Sequence, residues 1–192
     1  MARRFTSIDE IIEHLRALGR TLSVENDALT ELDHGLQTAA ILAVNAPDDL
    51  GVQIAGLVHD IAHPWDGPGQ PRHATMGATA VVDILGERVA ALIRSHVPAK
   101  RYLVATRPEY AAMLSADSVM TLAAQGGPMS PGEVAEFETH PDLAAAVLLR
   151  AADDGAKVPG AEVPGLHHWE AALREFAATH AAASATTGSV TA

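Results

Sequence analysis

The sequence contains no cysteine, which excludes disulfides, thiolate nucleophiles, zinc fingers and Cys-ligated clusters. It is poor in cations: 13 Lys and Arg stand against 24 Asp and Glu, for a formal net charge of −11. A chain of that sign is a poor match for nucleic acid or an anionic membrane. A small anionic substrate stays compatible, because a local pair of cations overrides the global field. Aromatic residues make up only 4%, and alanine and leucine carry the apolar content of 48%, which favours helices over strands. Long hydrophobic runs are missing as well. The most continuous one, Ala39 to Val44, is far too short to span a bilayer. Arg3 and Arg4 precede no apolar run, so no signal peptide is expected. The expectation is a soluble cytoplasmic protein with no nucleic-acid or membrane partner. No pattern sets an oligomeric state.

What the chain does have is helical punctuation. Its 192 residues suit one domain that buries roughly 70% of its unfolded surface. Ser7 and Glu10 read as a capping box ahead of Ile8, Ile11, Ile12, Leu15 and Leu18, with Gly19 as the stop. A second helix over 28–45 carries His34 and ends before Pro47. A third runs from 49 into His59 and Asp60, and Val52, Ile54, Ala55, Leu57 and Val58 imply deep burial there. Pro64 to Arg72 is a loop by composition, between two candidate ligands. His73 opens a helix that Gly86 stops, and another over 87–95 ends at His96 before Pro98. Ser130-Pro131-Gly132-Glu133 reads as a helix start with a second capping box. Further helices cover 141–155 and 166–180, and 181–192 reads as a frayed tail. With no repeat, linker or strand pattern, the chain reads as an all-α, single-domain helical bundle over 1–180.

The chemistry lies in one spaced series: His34, His59-Asp60, His73, His96 and Asp153. Imidazole and carboxylate suit iron, manganese and zinc. Six such groups exceed one closed tetrahedral site and suffice for two ions with open positions. His59 and Asp60 close a strongly apolar helix, where an ionisable pair is costly unless paired or metal-bound. Neighbours on a helix point about 100° apart, so a His-Asp dipeptide suits a bridge between two ions. His14, His140, His167, His168 and His180 have no ligand context and read as ordinary surface or core residues. Lys100 lies one turn beyond His96, Arg150 three residues before Asp153, and His63 one turn beyond His59.

Longer words surround the series. They stand at 32–39 (Leu-Asp-His-Gly-Leu-Gln-Thr-Ala), 57–63 (Leu-Val-His-Asp-Ile-Ala-His) and 96–103 (His-Val-Pro-Ala-Lys-Arg-Tyr-Leu). Two more follow at 125–130 (Gln-Gly-Gly-Pro-Met-Ser) and 153–160 (Asp-Asp-Gly-Ala-Lys-Val-Pro-Gly). In this order they closely resemble the PhnZ-type HD-domain diiron oxygenases of phosphonate catabolism. The resemblance implies a mixed-valent Fe(II)/Fe(III) pair held by His34, His59, Asp60, His73, His96 and Asp153, with Asp60 bridging and no further catalytic side chain. Asp154 is the runner-up to Asp153, which is preferred because the family places a lysine four residues after the ligand, as Lys157 is here. The substrate would be a 1-hydroxyalkylphosphonate that meets O2 at the irons and loses its C–P bond, giving a carboxylate and inorganic phosphate. His63, Lys100, Ser118 and Arg150 map onto the phosphonate pocket. A Tyr and a Glu that serve aminated substrates match Val24 and Asp27, and only Asp27 keeps a polar group for substrate.

Three other readings compete. A metal-dependent HD phosphohydrolase, acting on a phosphate ester or nucleotide, needs His34, His59, Asp60 and Asp153 but has less use for His73 and His96. Inositol-oxygenase-like ring cleavage shares the six ligands but not the words around Lys100 and Gly126-Gly127-Pro128. A degenerate binding module would not keep an intact ligand set.

Overall fold

The computed structural model describes residues 3–23, 27–66 and 72–188. It is all-α: among the described residues no strand forms, and the only ladder-like contact is an isolated bridge between Leu22 and Thr30. The helices are α1 (Ile8–Leu18), α2 (Glu31–Asn45), α3 (Leu50–Val58), α4 (His73–Thr106), α5 (Pro108–Met113), α6 (Ala116–Ala124), α7 (Pro131–Phe137), α8 (Leu143–Gly155) and α9 (Leu166–Gly188). A 3-10 turn, His63–Trp65, follows α3. No described helix is long and apolar enough to cross a membrane.

Local chemistry accounts for the helix starts. Ser7 accepts from the Glu10 amide, but the Glu10 carboxylate turns to Thr6 instead, so the expected box is only half closed. The Ser130–Glu133 box is reciprocal, as expected. A box the sequence reading missed, Thr30 with Asp33, starts α2 at Glu31 rather than at 28. The short helices α5 and α6 also went unforeseen, since six and nine residues show little periodicity. Residues 181–188 extend α9 beyond His180, as an alanine-rich stretch does readily. The remainder of the expected tail, 189–192, lies outside the described residues, as do Val24 and part of the 64–72 loop.

Two glycines set the geometry of the centre. α3 is buried all round and packs closely against α2. A Cβ on Gly35 would stand 2.5 Å from the Leu57 carbonyl oxygen, so only glycine lets α2 come this near. That contact brings His34 beside His59. Gly86 breaks α4 with φ 82 and ψ 166, a region reserved for glycine. Residues 73 and 96 would lie about 35 Å apart on a straight helix. Their Nε2 atoms are instead 3.1 Å apart, because the chain turns back at Gly86. The stop expected at Gly86 is therefore a real reversal, but the end expected at His96 is not: the second arm passes through Pro98 to Thr106 and keeps Lys100 helical. α8 closes the core against α2, α3 and α4, with Leu149 and Ala152 buried.

Candidate metal centre

Seven buried or nearly buried side chains converge where α2, the end of α3, both arms of α4 and α8 meet: His34, His59, Asp60, His63, His73, His96 and Asp153. Six of them fall into two facing groups. His34, His59 and Asp153 form one, and Asp60, His73 and His96 form the other. Asp60 faces both. Its Oδ2 lies 3.5 and 3.2 Å from Nε2 of His34 and His59. Its Oδ1 lies 3.6 Å from Nε2 of both His73 and His96. A carboxylate with one oxygen toward each pair of imidazoles has the disposition of a bridge.

The other ring nitrogens of His34, His59 and His96 are committed elsewhere. Nδ1 of His34 donates to the Ala156 carbonyl at 2.9 Å, that of His59 to Gly56 at 2.8 Å, and that of His96 to Ile93 at 2.7 Å. A carbonyl only accepts, so each Nδ1 carries hydrogen and the ligand lone pair falls on Nε2. Gln37 supports this arrangement by pairing twice with the Val158 backbone, at 2.9 and 3.1 Å, next to the Ala156 carbonyl. The sequence reading gave Gln37 no role.

The donor set fits a metal. Nε2 of His34 and His59, Oδ1 of Asp60 and Oδ1 of Asp153 are buried without a hydrogen-bond partner. Groups of this kind are rarely left unsatisfied. Four orphaned ligand atoms pointing into one space, all of them imidazole nitrogen or carboxylate oxygen, are the arrangement that a cation completes.

The electrostatics differ between the halves. Burial pushes His34 down, but the Asp153 and Asp60 carboxylates more than offset it and raise its pKa to about 10. His59 is likewise raised despite burial, by Asp60 and Asp153. Burial and the neighbouring His63 push His73 down to about 4, and burial also holds His96 low. Asp60 and Asp153 stay well below the usual carboxylate range against burial, Asp60 through His59 and His63 and Asp153 through Arg150 and His59. The His34 half thus carries the excess of carboxylate, and the His73 half is two neutral imidazoles with a shared carboxylate.

The surrounding cations are buried. Arg150, 2% exposed, meets Asp153 Oδ2 at 2.7 Å and also holds Asp154 and the Tyr110 hydroxyl. Asp154 therefore faces Arg150 and Tyr110, whose hydroxyl donates to it at 2.6 Å, whereas Asp153 faces the histidines. Lys100 is 1% exposed and donates to Thr121 at 2.7 Å. Ser118, fully buried, receives a 3.4 Å hydrogen bond from Lys157. Asp27 is exposed and is not in the cluster. A surface hollow of about 450 Å³ lined by Met129, Glu133, Phe137 and His140 includes none of these residues.

Two residues were missed outright. Tyr110 sits in a stretch given no element. Glu31 lies three residues before His34, close to the same helical face, and that spacing could have exposed it. It joins Asp60 and His63 in a third group of facing ligand atoms.

Residues 32–154 match the HD domain family. The chain is 36% identical over 181 residues to a hydroxymethylphosphonate dioxygenase of Gimesia maris, covering 86% of this chain and 84% of that protein. It is 33% identical over 163 residues to the [1-hydroxy-2-(trimethylamino)ethyl]phosphonate dioxygenase (glycine-betaine-forming) of Leisingera caerulea, covering 80% and 82%. An uncharacterised protein of Acanthamoeba polyphaga mimivirus is 31% identical over 162 residues, covering 78% and 73%.

Proposed function

The chain belongs to the HD-domain family, in the branch of the phosphonate dioxygenases, and on that footing we propose that it cleaves the C–P bond of a 1-hydroxyalkylphosphonate with O2. For the simplest substrate, hydroxymethylphosphonate and O2 give formate, inorganic phosphate and one proton. Carbon and phosphorus together supply the four electrons that O2 accepts, so no external reductant is consumed. The observation that carries this reading is the second pair of histidines. His73 and His96 aim their Nε2 atoms at the far oxygen of Asp60, an arrangement a four-ligand HD hydrolase does not require.

Two iron ions, Fe(II) and Fe(III), are part of the proposal. His34, His59 and Asp153 would hold one and His73 and His96 the other, with Asp60 between them. When bound, the pair supplies Lewis acidity to the substrate oxygens and electrons to O2. The His73 half offers three protein groups, fewer than the His34 half with its share of Asp60, and would be the half with room for the substrate's hydroxyl and phosphonate oxygens.

The protein's own part is positioning and charge. Lys100 places its side-chain nitrogen one turn from His96 in a dry setting, where a charged ammonium would be strongly attracted to a phosphonate. Ser118 and Lys157 extend that donor surface from α6 and the segment after α8. Arg150 holds the Asp153 carboxylate at 2.7 Å and adds buried positive charge that a dianionic substrate needs. Asp27, being exposed, offers no buried carboxylate to an ammonium substituent. A bare or neutrally substituted substrate therefore fits best, and a cytoplasmic setting belongs to the same reading.

Anaerobically iron-loaded protein is expected to consume O2 and release phosphate from hydroxymethylphosphonate in equal amounts, with slower turnover of the 2-trimethylammonio analogue. Phosphate release that proceeds equally well without O2 would overturn the oxygenase reading. Partial oxidation of the iron-loaded protein should also give the coupled mixed-valent resonance of an Fe(II)/Fe(III) pair.

A further inference from the structure

Glu31 is a buried carboxylate that the six-ligand arrangement leaves unused. It sits in the first turn of α2 and is 3% exposed. Both of its oxygens lie 3.2 Å from Nδ1 of His63. His63 follows the ligand pair on the 3-10 turn, with Nε2 3.5 Å from Asp60 Oδ1, the oxygen that also faces His73 and His96. Its ring stands edge-on to His73, with centroids 4.2 Å apart.

These contacts leave His63 little choice. A carboxylate offers only acceptors, so Nδ1 carries the hydrogen that joins it to Glu31. The opposite ring nitrogen then points at the edge of the centre where protein ligands are fewest. A three-residue 3-10 turn is a weak support for a histidine. Glu31 comes from a different element, near the N-terminus of a fifteen-residue helix whose dipole favours a carboxylate there. The same helix carries His34, so the anchor and one ligand move as a unit.

We propose that Glu31 is a positioning residue: it fixes the tautomer and ring orientation of His63 so that the Nε2 lone pair accepts from a hydroxyl of the substrate at the His73–His96 half of the centre. The substrate part rests on the phosphonate reading; the tautomer part does not. Glu31 acts through His63 and is not a metal ligand.

The experiment has two arms. In the first, full-length zinc-loaded protein with 15N-labelled histidine is examined by long-range 1H–15N correlation. His63 should show hydrogen on Nδ1 in the native protein and in Glu31→Gln, and a mixed or reversed tautomer in Glu31→Leu, with the zinc content unchanged. An unaltered His63 signal in Glu31→Leu overturns the proposal, and so does loss of a zinc equivalent, which would make Glu31 a ligand. The second arm measures iron-loaded enzyme on hydroxymethylphosphonate. Glu31→Leu should raise KM on the order of tenfold with a smaller effect on kcat. In a His63→Ala background it should add nothing, whereas additive losses would overturn action through His63. If Glu31→Leu does not fold, Glu31→Gln decides: the His63 Nδ1–H resonance should move as the acceptor loses its charge and KM should rise a few-fold, and no change in either overturns the proposal. Should native enzyme release no phosphate, the phosphonate reading fails while the first arm still judges the tautomer.

Discussion

Single side chains here are governed by what faces them across a few ångströms. His34 faces two carboxylates, and its pKa of about 10 stands above the ordinary 6.5. In metal-free protein a raised histidine contributes stability that is fully present below pH 6.5 and is lost as pH rises through about 10. Asp60 and Asp153 work in the opposite sense: held below the ordinary 3.8, they stabilise above it and lose that contribution as pH falls. Metal must displace the His34 proton, so uptake at neutral pH should release protons and the apparent affinity should climb from pH 6.5 toward 10. Calorimetry of zinc binding in buffers of different ionisation enthalpy measures this directly; a proton count of zero would contradict it. A second expectation separates the halves. His73→Ala should remove one metal equivalent and spare the other, whereas Asp60→Asn should weaken both, as metal analysis of the purified variants would show.

At the scale of elements, the decisive device is the reversal at Gly86. No residue with a Cβ adopts φ 82 with ψ 166 cheaply, and a Cβ there would also stand 2.9 Å from the His180 ring of α9. Gly86→Ala should cost about 1–3 kcal/mol. It should lower the melting temperature by about 2–4 °C for each kcal/mol in a chain of this size. Because the reversal places His73 beside His96, the same variant should lose affinity for one metal equivalent more than for the other. A stability loss with both equivalents intact would show that the two arms find each other without the glycine. Much at this scale was legible in advance. Capping residues, apolar spacing and glycine stops placed α1, α3, α7, α8 and most of α2 and α9, because these signals act within one or two turns. The passage of the second α4 arm through Pro98 was not legible, because proline opposes a helix locally and only the surrounding packing overrides it.

For the whole molecule, the candidate metal centre is also part of the core. Four ligand atoms lie buried without partners inside the space enclosed by α2, α3, α4 and α8. Binding that occurs only in the folded state adds stability by mass action, about 2.7 kcal/mol when free metal exceeds its dissociation constant a hundredfold. Removal of metal by a chelator should therefore lower the melting temperature by about 5–10 °C. It should also loosen the α2–α8 and α4–α8 contacts in hydrogen exchange while α1 stays protected. Equal melting with and without metal would mean that the orphaned atoms are satisfied in another way.

The sequence alone determined the types of the candidate ligands, their order along the chain, the helical class and the words shared with phosphonate dioxygenases, since each is carried by residue chemistry or short-range spacing. It could not determine that Asp153 rather than Asp154 turns toward the histidines on chemistry alone; the neighbouring Arg150 and Tyr110 draw Asp154 the other way. Nor could it show Glu31 against His63, or Asp60 with one oxygen toward each pair of histidines. Those are matters of angle and distance between helices. They follow from the close approach at Gly35 and the turn at Gly86, which bring residues far apart in sequence within a ligand's reach.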